Sequence, residues 1–272
     1  MRDVSFGQYY PANSFLHKID PRAKILFLIV YIACIFTANN FYSLGACALV
    51  FLLCAAFSGV PVSKLLKSVK AVLFLLAFTA VLNLFFHAGD GETPILEWGA
   101  IRIYESAIYF TVFLAVRLFL LVLASSLLTL TTTPVSLTDG IESLLTPLKW
   151  IRFPVHELAL IMSIALRFIP ILTDETARIM NAQKARGANF ETGGLFQRAK
   201  AVVPVLIPLL ISAFRRADEL GDAMDARCYA GSKVRTKYKK LKYGWRDILA
   251  FALGLALLAG VILCRIYFPA LI

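Results

Sequence analysis

Two arginines stand out from their surroundings in this chain. Arg186 lies between Ala185 and Gly187 in NAQKARGANF (181 to 190), and Arg227 lies between Ala226 and Cys228 in DAMDARCYAG (222 to 231). Aligned on the arginines, Ile179, Asn181, Ala182 and Ala185 match Leu220, Asp222, Ala223 and Ala226. On a helix Ile179, Ala182 and Arg186 share one face, as do Leu220, Ala223 and Arg227. A guanidinium offers a planar fork of donors that meets a carboxylate with two bonds at once. Alanines beside it let another protein surface approach closely. This chemistry is recognition, and its duplication points to two equivalent docking sites for a paired partner. Arginine in a last turn followed by glycine is also an ordinary helix ending. Gly187 suits that role, whereas Cys228 is not expected to cap.

The remaining reactive side chains offer less. His17, His87 and His156 are far apart and lack metal-ligand spacing, so no metal site is expected. Asp174–Glu175 and Asp218–Glu219 are adjacent pairs whose side chains diverge on a helix, which suits solvated or ion-paired roles rather than acid–base catalysis. No GxxxxGK loop is present for cradling phosphates, so the chain itself is not expected to hydrolyse ATP, and no catalytic residue is nominated. An intramembrane enzyme would need acids or histidines clustered within apolar segments, and none are. Arg117 sits mid-way along FLAVRLFLLV, where a charge must face protein or water. A tie to a carbonyl or an acid is expected there ahead of a substrate role. Cys34, Cys47, Cys54 and Cys264 lie in apolar runs, and with Cys228 they form no zinc or disulfide framework.

The elements that carry these residues belong to a membrane protein. Apolar residues make up 59% of the chain, charged ones only 17%, and the mean hydropathy is +0.75. The net charge of +11 reads as lysine and arginine gathered in cytoplasmic loops. No basic stretch is interleaved with stacking aromatics, so nucleic acid is not an expected partner. The polar start, MRDVSFGQYYPANSF, does not resemble a cleavable signal, and the first apolar run is expected to anchor the chain uncleaved.

Residues 25 to 62 read as a helical hairpin turning near Asn39, and further spans fall near 71 to 86, 107 to 130 and from Ile248 onward. Between Thr131 and Arg246 charges and prolines interrupt the apolar stretches, which look amphipathic or too short and broken to span. Within that region Ile161, Ile164, Ala165, Phe168 and Ile169 share an apolar stripe at helical spacing. The fold expected is an all-α integral membrane protein of about five transmembrane helices, with a helical domain inserted before the last. The corresponding parts are 1 to 133, 134 to 243 and 244 to 272. Lysines and arginines before the first span, in SKLLKSVK and in KVRTKYKKLKYGWR, fall on one side if the N-terminus is cytoplasmic. The inserted domain then faces the cytoplasm and the C-terminus lies outside the cell membrane.

The sequence resembles the transmembrane component of energy-coupling factor transporters, a subclass of ATP-binding-cassette importers. The paired arginine motifs are similar to that family's coupling-helix motifs. HKIDPRAK (17 to 24), LTTTPVSLTDGIESLLTPLK (130 to 149), PVHELALIMSIALRFIP (154 to 170) and AQKARGANF follow in family order, and the resemblance covers nearly the whole chain. Cys228 departs from the glycine or small residue usual there. The resemblance implies an L-shaped, non-catalytic subunit whose cytoplasmic-side domain couples to two ATPases, each receiving one arginine-bearing helix end. Ala185, Arg186, Gly187, Ala226, Arg227 and Cys228 would make those contacts. ATP and Mg would be bound by the ATPases, and no cofactor by this chain. A separate membrane component would capture a vitamin or metal ion and pack against the stripe from Ile161 to Ile169. A conventional importer permease is the alternative, but it usually carries one coupling helix per subunit.

Overall fold

The computed structural model describes residues 9–70, 72–86, 96–98, 101–151, 153–190, 194–229, 231 and 243–267. Most of the acidic connection after the third apolar run and the basic segment 233 to 242 lie outside the described residues. The chain divides into two compact units, Met1–Ser143 with Leu241–Ile272, and Leu144–Lys240.

The first unit is the membrane bundle. Its helices are α1 (Pro21–Thr37), α2 (Phe41–Ser58), α3 (Val62–Lys70), α4 (Leu73–Phe86), α5 (Glu105–Thr131), α6 (Pro134–Leu145) and α9 (Trp245–Tyr267). The Asp20 carboxylate accepts from the Arg22 amide to open α1, with Pro21 in the first turn where its missing N–H costs nothing. Asn40 and Ser43 form a reciprocal capping box that starts α2, and Gly59, at φ 66°, ends it in the left-handed region. The hairpin expected near Asn39 is therefore present, and its turn has sequence reasons at both sides.

The core lies where α9 packs on α1 and α2 and where α5 crosses the same helices. Tyr31, Ile35, Leu44, Phe51, Phe113, Leu120, Leu257 and Val261 are buried there. The Tyr31 hydroxyl donates to the Cys47 carbonyl at 3.1 Å, and Cys34 and Cys47 are buried free thiols. Arg117 donates to the Ala38 carbonyl at the end of α1, and its guanidinium covers the Phe113 ring at 4.7 Å. That is the tie to a carbonyl expected from its position.

A polar clasp joins the ends of three helices. Asp247 accepts from the Asp20 amide at 2.8 Å and from the Gly244 amide at 2.6 Å. Lys24 donates to the Thr131 carbonyl at 2.9 Å and to the Thr132 hydroxyl at 3.2 Å. The start of α1, the end of α5 and the start of α9 thus lie together, while the Asn40 amide group reaches the Cys264 carbonyl near the other end of α9. Before the clasp, His17 bridges the Tyr10 carbonyl through Nε2 and the Ser14 hydroxyl through Nδ1. Burial pushes its pKa below the usual imidazole value, against the raising effect of the Tyr10 carbonyl, and the Lys24 charge adds to the lowering.

Three features differ from the sequence expectation. The third apolar run forms a bent pair, α3 and α4, whose axes turn by 58°, and α4 alone is 14 residues long. The lysines explain the break: Leu65 and Val69 bury one face of α3 while Lys64, Lys67 and Lys70 remain exposed. Secondly, the connection before α5 contains a small antiparallel ribbon, β1 (Leu96–Trp98) with β2 (Ile101–Ile103), Glu97 opposite Arg102. Otherwise the described elements are helical, as an all-α membrane protein requires. Finally, α6 groups with the bundle and not with the residues that follow it. Gly140 of α6 lies so close to α1 that a Cβ would meet Pro21 at 3.1 Å and Ile25 at 3.2 Å.

The second unit is built on α7 (Val155–Ala185) and α8 (Leu195–Asp225), each 31 residues long. The expectation that prolines break these stretches is corrected. Pro170 lies within α7, and Pro204 and Pro208 lie within α8. Each proline removes a single backbone bond, and the helix continues through it. Unbroken, α7 is also long and apolar enough over its best 18-residue window to cross a membrane. Its second half, by contrast, carries Asp174, Glu175, Arg178 and Lys184.

Candidate functional site

The two arginine ends lie on the paired helices of the second unit. Gln183 of α7 donates its side-chain amide to the Pro204 carbonyl of α8 at 3.4 Å. That carbonyl would normally receive the amide of residue 208, and Pro208 has none. Glu175 and Arg216 form an ion pair at 3.5 Å. Residue numbers rise along α7 as they fall along α8 between these pairs, so the helices are antiparallel. Each arginine lies eleven residues beyond the Glu175–Arg216 pair along its own chain direction. At 1.5 Å rise per residue the two ends are therefore separated by up to about 33 Å.

Both ends have the same backbone. The Gly187 amide donates to Lys184 at 3.0 Å and the Ala188 amide to Gln183 at 3.0 Å. In the second copy the Cys228 amide donates to Asp225 at 2.9 Å and the Tyr229 amide to Met224 at 3.1 Å. Gly187 and Cys228 both hold positive φ, 87° and 55°. This is the Schellman ending, in which the left-handed residue closes the helix. The expectation that Cys228 does not cap is thus wrong: it adopts the capping conformation despite its Cβ. Capping and docking are consequently not rival roles. The residue after each arginine makes the cap, and the guanidinium is left exposed with no ion pair among the described residues. Ala182, Ala185, Ala223 and Ala226 are exposed with it, giving each end a flat apron of small side chains.

Of the predicted stripe, Ile161 is 59% exposed and Ile169 40%, Ala165 is exposed, and Ile164 and Phe168 are half-buried. Sequence reasoning nominated no residue between 201 and 214 of α8, yet the apolar face there is broader. Val203, Leu206, Ile207, Leu210, Ile211 and Phe214 are all exposed. Their three-and-four spacing was readable, but Pro204 and Pro208 made the segment look discontinuous. Among the described residues no group of histidines, cysteines or acids is arranged to hold a metal ion.

Apolar helices long enough to cross a membrane, with an inserted helix pair bearing two arginine ends, define an integral membrane protein. Residues 12–238 match the family model described as cobalt transport protein (CbiQ). The chain is 47% identical over 268 residues to the energy-coupling factor transporter transmembrane protein EcfT of Ruminiclostridium cellulolyticum, covering 98% of this chain and 99% of that one. It is 49% identical to the like-named protein of Brevibacillus brevis over 91% of this chain and 92% of the relative. For the one from Bacillus subtilis the identity is 43%, with the same coverage. The chain belongs to the family of energy-coupling factor transporter transmembrane proteins.

Proposed function

We propose that the chain is the non-catalytic coupling subunit of its transporter, linking ATP hydrolysis by two ATPase subunits to uptake of a vitamin or metal ion. A separate membrane component binds the substrate and docks on the apolar faces of α7 and α8. The observation that carries this reading is the pair of identical, exposed arginine ends at opposite ends of one antiparallel helix pair. Two ends up to about 33 Å apart suit two partner proteins better than one groove. The apolar first half of α7 and the exposed face of α8 are suited to a reversible hydrophobic contact at the membrane.

Alanine at Arg186 or Arg227 removes one partner of a charge-assisted pair, a loss of about 2–5 kcal/mol when such pairs are buried at an interface. ATPase co-purification and substrate uptake are measured for Arg186→Ala, Arg227→Ala, Arg186→Lys and the double alanine variant. Each single alanine variant cripples uptake, the double variant loses the ATPases, and lysine restores little because it lacks the planar fork. Normal ATPase retention and transport in the double variant would sink the proposal.

A further inference from the structure

The membrane bundle contains an apolar cavity of about 200 Å³ between α1, α2, α5 and α9. Phe15, Phe27, Leu53, Phe57, Leu128 and Leu253 line it, and Lys24 and Thr131 close one end. Such a lining offers water too few partners to hold it. The same end carries a cationic and aromatic rim. The Arg246 guanidinium lies over the Phe15 ring at 5.4 Å, and the Trp245 ring meets Phe15 edge-on at 5.7 Å. Nearby, Arg22 covers the Tyr243 ring at 5.5 Å. Tyr243 and Trp245 are 57% and 65% exposed, in the manner of aromatics that sit at the membrane–water boundary. The Nε of Arg246 is buried without a hydrogen-bond partner. Lys24 spends two of its three donors on Thr131 and Thr132.

We propose that this cavity binds an anionic phospholipid, one acyl chain entering the apolar slot and the headgroup phosphate resting on Arg246. Phe15, which lines the slot, also meets Trp245 and Arg246, so the cavity runs up to the aromatic and cationic rim. Arg246, Arg22 and Lys24 place three cations near that rim against the two carboxylates of Asp20 and Asp247, which leaves a net positive charge, so a headgroup with net negative charge fits and one carrying its own ammonium fits less well. A guanidinium meets a phosphate with two parallel bonds, which fixes the headgroup while the chain fills the slot.

The full-length chain, stripped of lipid in detergent, is exposed to equal amounts of phosphatidylglycerol and phosphatidylcholine, and retained lipid is counted by native mass spectrometry. Wild type retains one lipid and prefers phosphatidylglycerol. In Arg246→Gln that preference falls by about tenfold, the equivalent of one charge-assisted contact, and Arg246→Lys keeps part of it. Ala250→Phe, which fills the slot from α9, loses retention of both lipids; Cys54→Phe fills it from α2 should the first variant unfold on a thermal ramp. Equal retention of the two lipids by wild type overturns the proposal, as does unchanged retention in Arg246→Gln or in a folded slot-filling variant. A cysteine at Leu128 that cross-links to a second protein chain in native membranes overturns it as well.

Discussion

Gly187 and Cys228 close their helices with the same pair of backbone bonds, at φ 87° and 55°. Glycine enters that region freely, whereas a side chain there crowds the following carbonyl at a cost of roughly 1–2 kcal/mol. The second arginine end therefore holds strain that the first does not. Cys228→Gly is expected to raise the stability of the chain by up to about 1 kcal/mol, since the freer unfolded glycine offsets part of the relief. Thermal unfolding of the purified chain reads the shift, and ATPase retention stays at the wild-type level because Arg227 is untouched. A lower melting temperature would show that the Cys228 side chain makes a contact worth more than the strain. The arginines were legible from sequence because their neighbours repeat. The clasp was not: Asp20 and Asp247 are 227 positions apart, and nothing local to either announces the other.

Helix α8 shows why element type is easier to read than element continuity. Its apolar spacing is visible in the residues, but Pro204 and Pro208 argue for a break that the structure does not make. The neighbouring helix supplies part of the reason, since Gln183 reaches the carbonyl that Pro208 leaves without its donor. A contact between elements thus offsets part of what a single-helix rule counts against the helix. Gln183→Ala should cost under about 1 kcal/mol, because the bond is exposed and water can replace it. Pro208→Ala should stabilise α8 by up to about 3 kcal/mol, restoring the backbone amide. In the Pro208→Ala background Gln183→Ala should then cost nothing further. Denaturant melts of the four chains form the cycle, and equal losses for Gln183→Ala in both backgrounds would assign that residue some other role. The bend between α3 and α4 follows the same logic in reverse, because the lysine pattern of α3 was visible and only its angle was not.

At the scale of the whole chain, alternating spans and charge asymmetry make one statement about sidedness. The clasp brings together the start of α1, the end of α5 and the start of α9, which are ends that alternating crossings place on one side. That side also holds Lys18, Arg22 and Arg246, and SKLLKSVK follows α2, whose last turn lies beside Ser14 through Gly59. Lysine and arginine mark the cytoplasmic face in short connections. On that rule the acidic connection around Asp90 and Glu92 is expected outside the cell, and the run of basic residues from Lys233 to Lys242 inside. In a chain freed of its five cysteines, Gly91→Cys and Lys239→Cys serve as single reporters. An impermeant maleimide applied to intact cells should label the first and spare the second, and permeabilisation should expose both. Labelling confined to position 239 would invert the orientation, turning the arginine ends of α7 and α8 away from any cytoplasmic ATPase. Equal labelling on intact cells would break the alternation itself, and with it the common side on which α1, α5 and α9 are clasped.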